Sequence, residues 1–178
     1  MAKKVLIISS SPRKGGNSDT LCEQFLLGAK EAGHQAEKIF LRDKRINYCT
    51  GCGTCVDKKG HCSQKDDMAA ILEKMTAADV IVLATPIYFY TMCGQLKTFI
   101  DRCCSSYTLL TGKEFYYIMT AAAGESCMDR TIEEFRGFLS CLDGAQEKGV
   151  LRAGGVWNIG DIKNSPALKQ ALEMSKKI

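Results

Sequence analysis

Five short apolar runs punctuate the chain: VLIIS at 5–9, AEKIFL at 36–41, DVIVLA at 79–84, FYYIMTA at 115–121 and VLRAGGVW at 150–157. The first and third are continuous and β-branched, the pattern of strands covered on both faces in a parallel sheet. The segments between them carry helical spacing. Leu21, Phe25 and Ala29, with Cys22 and Leu26 beside them, form one stripe, and Met68, Ile71, Leu72 and Met75 a second. Met92, Leu96, Phe99, Ile100 and Cys103 form a third, and Met128, Ile132, Phe135, Leu139 and Leu142 a fourth. A last helix is expected from Ser165 as N-cap, with Pro166 at the first helical position, where a missing N–H costs nothing. Parallel neighbours need a crossover, normally a right-handed helix, so this alternation predicts an α/β fold. It is a doubly wound five-stranded parallel sheet, order 2-1-3-4-5, with helices on both faces. No repeat, low-complexity tract or linker interrupts residues 1–178, and one domain is expected, with 42–65 as a cysteine-rich insertion.

Charge narrows the partners. Lys and Arg number 24 against 20 Asp and Glu, a net +4 spread without a basic block, which argues against nucleic acid. No run approaches the roughly 18 apolar residues of a membrane span, and MAKKVLIISS is too short in its apolar part for a signal peptide. A cytoplasmic protein is expected. There, ten cysteines do not predict a disulfide framework: clustered thiols point to metal or redox chemistry and scattered ones to packing.

In such sheets ligands sit at the carboxyl ends of the strands, where strand order reverses. After the first strand, SSSPRKGGNSDT (9–20) supplies hydroxyl and amide donors, two glycines for close backbone approach, and a helix N-terminus with free N–H groups. That combination predicts a phosphate site, with Arg13 or Lys14 adding a positive charge. A polar connecting loop with a good N-cap is the plainer alternative. The loop is neither GxGxxG nor GxxxxGK[ST], which disfavours a dinucleotide or Walker site. After the third strand, Thr85, Pro86, Ile87, Tyr88, Phe89 and Tyr90 put a stiff turn and three aromatics at the same crevice. Alone they would read as core plugs; beside a phosphate loop they suggest a planar ring joined to a phosphate, FMN.

With SSPRKGGNS, TPIYFY, QLKTFIDR and GVWNIGDI in that order, the chain resembles the NAD(P)H-dependent FMN reductases of the flavodoxin-like fold. The resemblance implies that Ser9, Ser11, Arg13, Asn17 and Ser18 read the FMN phosphate, and that Pro86, Ile87, Tyr88 and Phe89 read the isoalloxazine. It implies backbone contacts from a third loop, 121–125, through Ala122 and Gly124. It also implies NADH or NADPH as electron donor and a homodimer or higher homo-oligomer.

Residues 42–65 make a 24-residue connection without an obvious element, a length that usually marks function. Its cysteines Cys49, Cys52, Cys55 and Cys62 fall at gaps of two, two and six residues. The spacing resembles that of the iron-sulfur flavoproteins, implying a [4Fe-4S] cluster on these four sulfurs. Zinc, a reversible CxxC disulfide activated by Lys44, Arg45, Lys58 and Lys59, and metal-free packing remain open beside it. Of the other cysteines, Cys22, Cys103 and Cys141 read as core, Cys127 lies near the third ligand loop, and Cys93 and Cys104 carry no clear signal. His61 reads as solvated. The expected function is an FMN-dependent oxidoreductase passing electrons from NAD(P)H to a quinone, a flavin, another small acceptor or a redox protein. No side-chain acid or base is expected. A flavodoxin-like electron carrier that never meets nicotinamide, and a non-flavin metal or thiol module, are the alternatives.

Overall fold

In the computed structural model, which describes residues 1–57 and 60–178, β1 (Lys4–Ser9), β2 (Gln35–Phe40), β3 (Val80–Tyr88), β5 (Glu114–Thr120) and β6 (Gln146–Ala153) form one parallel sheet. Their order is β2-β1-β3-β5-β6. This is the expected 2-1-3-4-5 path; the numbering shifts because a two-residue β4 (Thr91–Met92) pairs antiparallel with the end of β3. Register is set by Val5 opposite Val80 and Ser9 opposite Ala84, with Ser9 also opposite Phe40.

The strands are apolar at successive positions because both faces are covered. Leu6 and Ile8, Ile81 and Leu83, and Phe115, Tyr117 and Met119 face the layer of α3 (Met68–Ala77), α4 (Gly94–Arg102) and α5 (Asp129–Leu139). Val5 and Ile7, Val80 and Val82, and Tyr116 and Ile118 face α1 (Asn17–Glu31) and α6 (Ala167–Ser175). Tyr117 stacks flat on Phe135 of α5, ring centres 4.4 Å apart. Ser165 behaves as a capping residue: its Oγ accepts the Ala167 N–H at 3.2 Å.

Three expectations need correction. The last strand starts at Gln146 and leaves the sheet after Ala153, so 154–157 form a loop. There Gly155 N–H donates to the Ala123 carbonyl and Val156 N–H to that of Ala121, bending the chain over the end of β5. Cys141 is exposed beyond α5 rather than in the core. The long connection holds a helical turn, α2 (Thr54–Asp57), as well as a 3-10 turn at Leu41–Asp43. Lys58 and Lys59, named above as possible activators of a thiol, lie outside the described residues. No helix among the described residues is long and apolar enough to cross a membrane.

Candidate functional site

At the carboxyl edge of the sheet, the loop after β1 is folded by a buried carboxylate. Asp19, in the first turn of α1, accepts hydrogen bonds from Ser9 Oγ (2.8 Å), Gly15 N–H (3.0 Å) and Lys38 Nζ (2.6 Å). Burial works against the Lys38 charge, but Asp19 and Glu23 outweigh it and hold the ammonium above its ordinary pKa. Gly15 has φ +66°, a left-handed conformation open to glycine at little cost. Gly16 fits by being small: a Cβ there would lie 2.7 Å from Ser11 Oγ and 3.0 Å from the Arg13 carbonyl. Ser10 ties this loop to its neighbour, its Oγ donating to the Ala84 carbonyl at 2.6 Å and meeting buried Cys93 Sγ at 3.1 Å.

The loop after β3 is a tight hairpin. Ile87 pairs with Met92 and Tyr88 with Thr91, so Phe89 and Tyr90 are the two central residues, with φ +51° and +67°. Both are left-handed, as a primed hairpin turn requires, yet neither is glycine or asparagine. Each costs about 1–2 kcal/mol relative to a right-handed residue. Strain of this kind concentrates at ligand sites. Phe89 is 98% exposed, so its own packing does not repay it. Phe89→Gly is therefore expected to leave the melting temperature of the ligand-free protein unchanged or higher, while weakening FMN binding in a fluorescence titration. A clear drop in melting temperature would show that the aromatic ring supports the fold.

These two loops meet the third at a cavity of about 290 Å³. Its lining contains nine of the eleven expected cofactor residues: Ser11, Arg13, Asn17, Ser18, Pro86, Ile87, Tyr88, Phe89 and Ala122. Ser9 is not among them, because its side chain is buried and bonded to Asp19. Gly124 also falls outside the lining. Gly16, Thr120, Val156 and Trp157 line the cavity without having been expected. Two side chains of the first loop are tied to the last: Arg13 Nη1 donates to the Trp157 carbonyl (3.0 Å) and Asn17 Nδ2 to that of Asn158 (2.9 Å). Ser18 Oγ is buried, 1% exposed as a residue, and has no partner among the described residues. An unsatisfied buried hydroxyl in a cavity wall is what a missing acceptor leaves behind. Hydroxyl, amide and guanidinium donors at one end and aromatic rings at the other fit a phosphate-bearing ring such as FMN.

None of the expected metal residues lines that cavity. The cysteine loop leaves the carboxyl end of β2 but is anchored at the far end of α4, a nine-residue helix about 13 Å long. Arg102, 3% exposed, forks onto Asp66, Nη1 to Oδ2 at 2.7 Å and Nη2 to Oδ1 at 3.0 Å. Nη1 also donates to the Asn47 carbonyl (2.7 Å), and Nη2 to Cys62 Sγ (3.6 Å). Burial would raise the Asp66 pKa, but Arg102 and the N–H groups of Asn47 and Met68 overcome it and hold the carboxyl below its ordinary 3.8. The stabilisation is thus fully present above that value and lost as pH falls through the lower folded-state value. Asp66→Asn strands a buried guanidinium, at a cost of about 3 kcal/mol near neutral pH. Urea unfolding should show the difference from wild type shrinking below about pH 3.8; a gap independent of pH would contradict the pair.

The thiols divide. Burial, and then the neighbouring thiols of Cys55, Cys49 and Cys62, raise the pKa of Cys104, which lies in the turn after α4. Sequence reading missed Cys104, since only the fold brings it to the loop. Cys52 is exposed and turned toward the Thr54 and Ser63 hydroxyls at 3.2 and 3.8 Å. Hydrogen bonds from the Thr54 hydroxyl and N–H, then Ser63, lower it to about 7. Among the described residues no three Cys, His, Asp or Glu side chains are grouped to hold one ion. A cluster spreads its thiolates over separate irons, and a loop this rich in thiols beside a buried cation has the right donor chemistry for one.

A family model described as NADPH-dependent FMN reductase matches residues 3–151. The chain belongs to that family. An iron-sulfur flavoprotein of Archaeoglobus fulgidus is 42% identical over 99 residues, 56% of this chain and 44% of that protein. An FMN-dependent NADH:quinone oxidoreductase of Pseudomonas fluorescens is 28% identical over 131 residues, 68% of this chain and 63% of that one. An FMN-dependent NADH-azoreductase of Bacillus anthracis, solved in complex with FMN, superposes with TM-score 0.73 at 19% identity, covering 98% of each chain. That likeness concerns the fold, which is flavodoxin-like. The chain spans about half the length of the curated iron-sulfur flavoproteins it matches.

Proposed function

We propose that this chain is an FMN-dependent oxidoreductase that takes hydride from NADH or NADPH and passes the electrons to a small acceptor or a redox partner. The observation that carries the reading is the unpartnered Ser18 hydroxyl in a cavity walled by the phosphate-type loop on one side and Pro86, Ile87, Tyr88 and Phe89 on the other. Arg13 and Ser18 supply donors for a phosphate, together with Ser11 and Asn17, and the α1 N-terminus adds its partial positive charge. The β3 hairpin and Trp157 would hold the ring and exclude water from the side they cover. FMN would supply the hydride and electron chemistry; this chain positions its ring and balances its charge. A side chain acting as acid or base is not needed.

The cysteine loop favours a second element of the same reading. Cys49, Cys52, Cys55 and Cys62 would hold a [4Fe-4S] cluster, whose chemistry is one-electron exchange with a partner. The carrier alternative, without nicotinamide turnover, draws on the iron-sulfur flavoprotein relatives. All ten cysteines are free and so available as thiols. Tyr88, Phe89, Tyr90, Trp157 and Ile159 are exposed around the cavity mouth, and a second copy of the chain would cover them in a homodimer.

The test is to mix anaerobic FMN-loaded protein with NADH or NADPH in a stopped-flow instrument and follow the visible flavin band. Bleaching within catalytic time supports the reductase. A flavin that binds but is bleached only by a chemical reductant assigns the carrier role. Protein that binds no FMN sinks both. Iron and labile-sulfide analysis after anaerobic reconstitution decides the cluster.

A further inference from the structure

Arg102 is an expensive residue in its setting. It is buried, while Cys49, Cys52 and Cys62 of the loop above it are exposed. A buried ion pair contributes little net stability, because desolvating two charges consumes most of their attraction. Its Nε finds no acceptor among the described residues, which adds to the cost. Holding two chain segments together would not by itself call for a cation here, since apolar side chains of similar volume do that as well or better.

The contacts show what the cation does. Nη1 reaches Asn47, two residues before Cys49, and Gln64 Oε1, two residues after Cys62. Both nitrogens reach Asp66, and Nη2 reaches the Cys62 sulfur itself. The rigid fork therefore closes the base of the cysteine loop and points a charged N–H at one of its sulfurs. The next turn of chain supports the arrangement. A Cβ on Gly60 would stand 2.7 Å from the Ser105 carbonyl, so the loop rests on the turn that follows Arg102.

We propose that Arg102 is the positioning residue of the cysteine loop: it fixes Cys62 for ligation and gives the bound iron-sulfur centre a cationic N–H···S partner that favours its reduced form. The inference rests on the cluster reading above. Its physical basis is simple. Taking up one electron adds one negative charge to the centre, and a guanidinium in contact with a ligand sulfur, shielded from water, stabilises that charge. Hydrogen bonds to cluster sulfurs are among the determinants of reduction potential.

The experiment compares wild type, Arg102→Met and Arg102→Lys after anaerobic reconstitution with iron and sulfide. Three readouts are taken: iron and sulfide per chain, the rate of iron loss to a chelator, and the cluster midpoint potential by spectroelectrochemistry. The Met variant is expected to lose iron roughly 10–100-fold faster, the usual effect of removing a partner that orients a metal ligand. Its potential should shift downward. The Lys variant keeps the charge but not the fork, so its potential should return toward wild type while iron loss stays fast. That split is one a merely structural residue would not produce. If Arg102→Met does not fold, Arg102→Lys carries the test alone, and a wild-type rate of iron loss in it overturns the proposal. A Met variant with full iron at the wild-type potential also overturns it. Wild type that takes up no iron and sulfide overturns the cluster reading itself, a result distinct from the other two.

Discussion

Ser18→Ala should make the ligand-free protein more stable and FMN binding weaker. The two effects share one cause. Without ligand, Ser18 Oγ is buried and unsatisfied, a condition that costs about 1–3 kcal/mol. Alanine removes the hydroxyl and its penalty, so chemical unfolding of the apo protein should shift to higher denaturant by about 1 kcal/mol. When a phosphate is bound, the same hydroxyl donates to an anion. Such bonds contribute about 1.5–3 kcal/mol, so the variant should bind FMN roughly 10–100-fold more weakly. Isothermal titration and urea melts on the same preparation check both signs. If apo stability falls, the hydroxyl has an unseen partner in the folded chain; if affinity is unchanged, the cavity is not reading a phosphate through this residue.

Gly28→Val should be the most damaging single substitution on the face opposite the cysteine loop. Gly28 lies in the last turn of α1, and glycine inside a helix normally weakens it by up to about 1 kcal/mol relative to alanine. It is tolerated because α6 passes directly over it. A Cβ at this point would be 2.1 Å from Ser175 Oγ and 2.5 Å from the Leu172 carbonyl. The α1 and α6 backbones must separate, at a cost of about 3 kcal/mol, readable as a lower urea midpoint. Adding Ser175→Gly should not rescue it, since the carbonyl remains. Full rescue by that second change would show that the contact is only a hydroxyl clash.

The sheet was legible because its strands are apolar on both faces, and only a buried parallel arrangement asks for that in Val80 to Ala84 or Val5 to Ile8. The end of β6 was not, because the apolar run continues through Val156 and Trp157 while two glycines turn the chain out of the sheet. Of the phosphate loop's serines, sequence offers identical chemistry at 9, 11 and 18. Strand register decides among them: Ser9 is still in β1 and points to Asp19, whereas Ser18 is the second residue of α1 and lines the cavity. Trp157 and Thr120 join the lining only through packing of distant loops. The cysteine spacing was plain in the sequence, but Cys104 is separated from Cys62 by more than forty positions and acquires meaning only where α4 ends. Arg102 likewise gains its role only from the fold, which brings Asn47, Cys62 and Asp66 to the end of α4.

The clasp between Arg13 and Trp157, and between Asn17 and Asn158, joins residues 144 and 141 positions apart. Closing so long a stretch carries a loop-entropy cost, so this contact is expected to form after local helices and the inner strands. A nascent chain emerging from the ribosome thus has its first loop early but lacks the far side of the pocket until residue 158 is free. Flavin loading is accordingly expected only once residues 157 and 158 can reach the first loop, and a fragment ending before β6 would hold the phosphate-type loop with nothing to close against it.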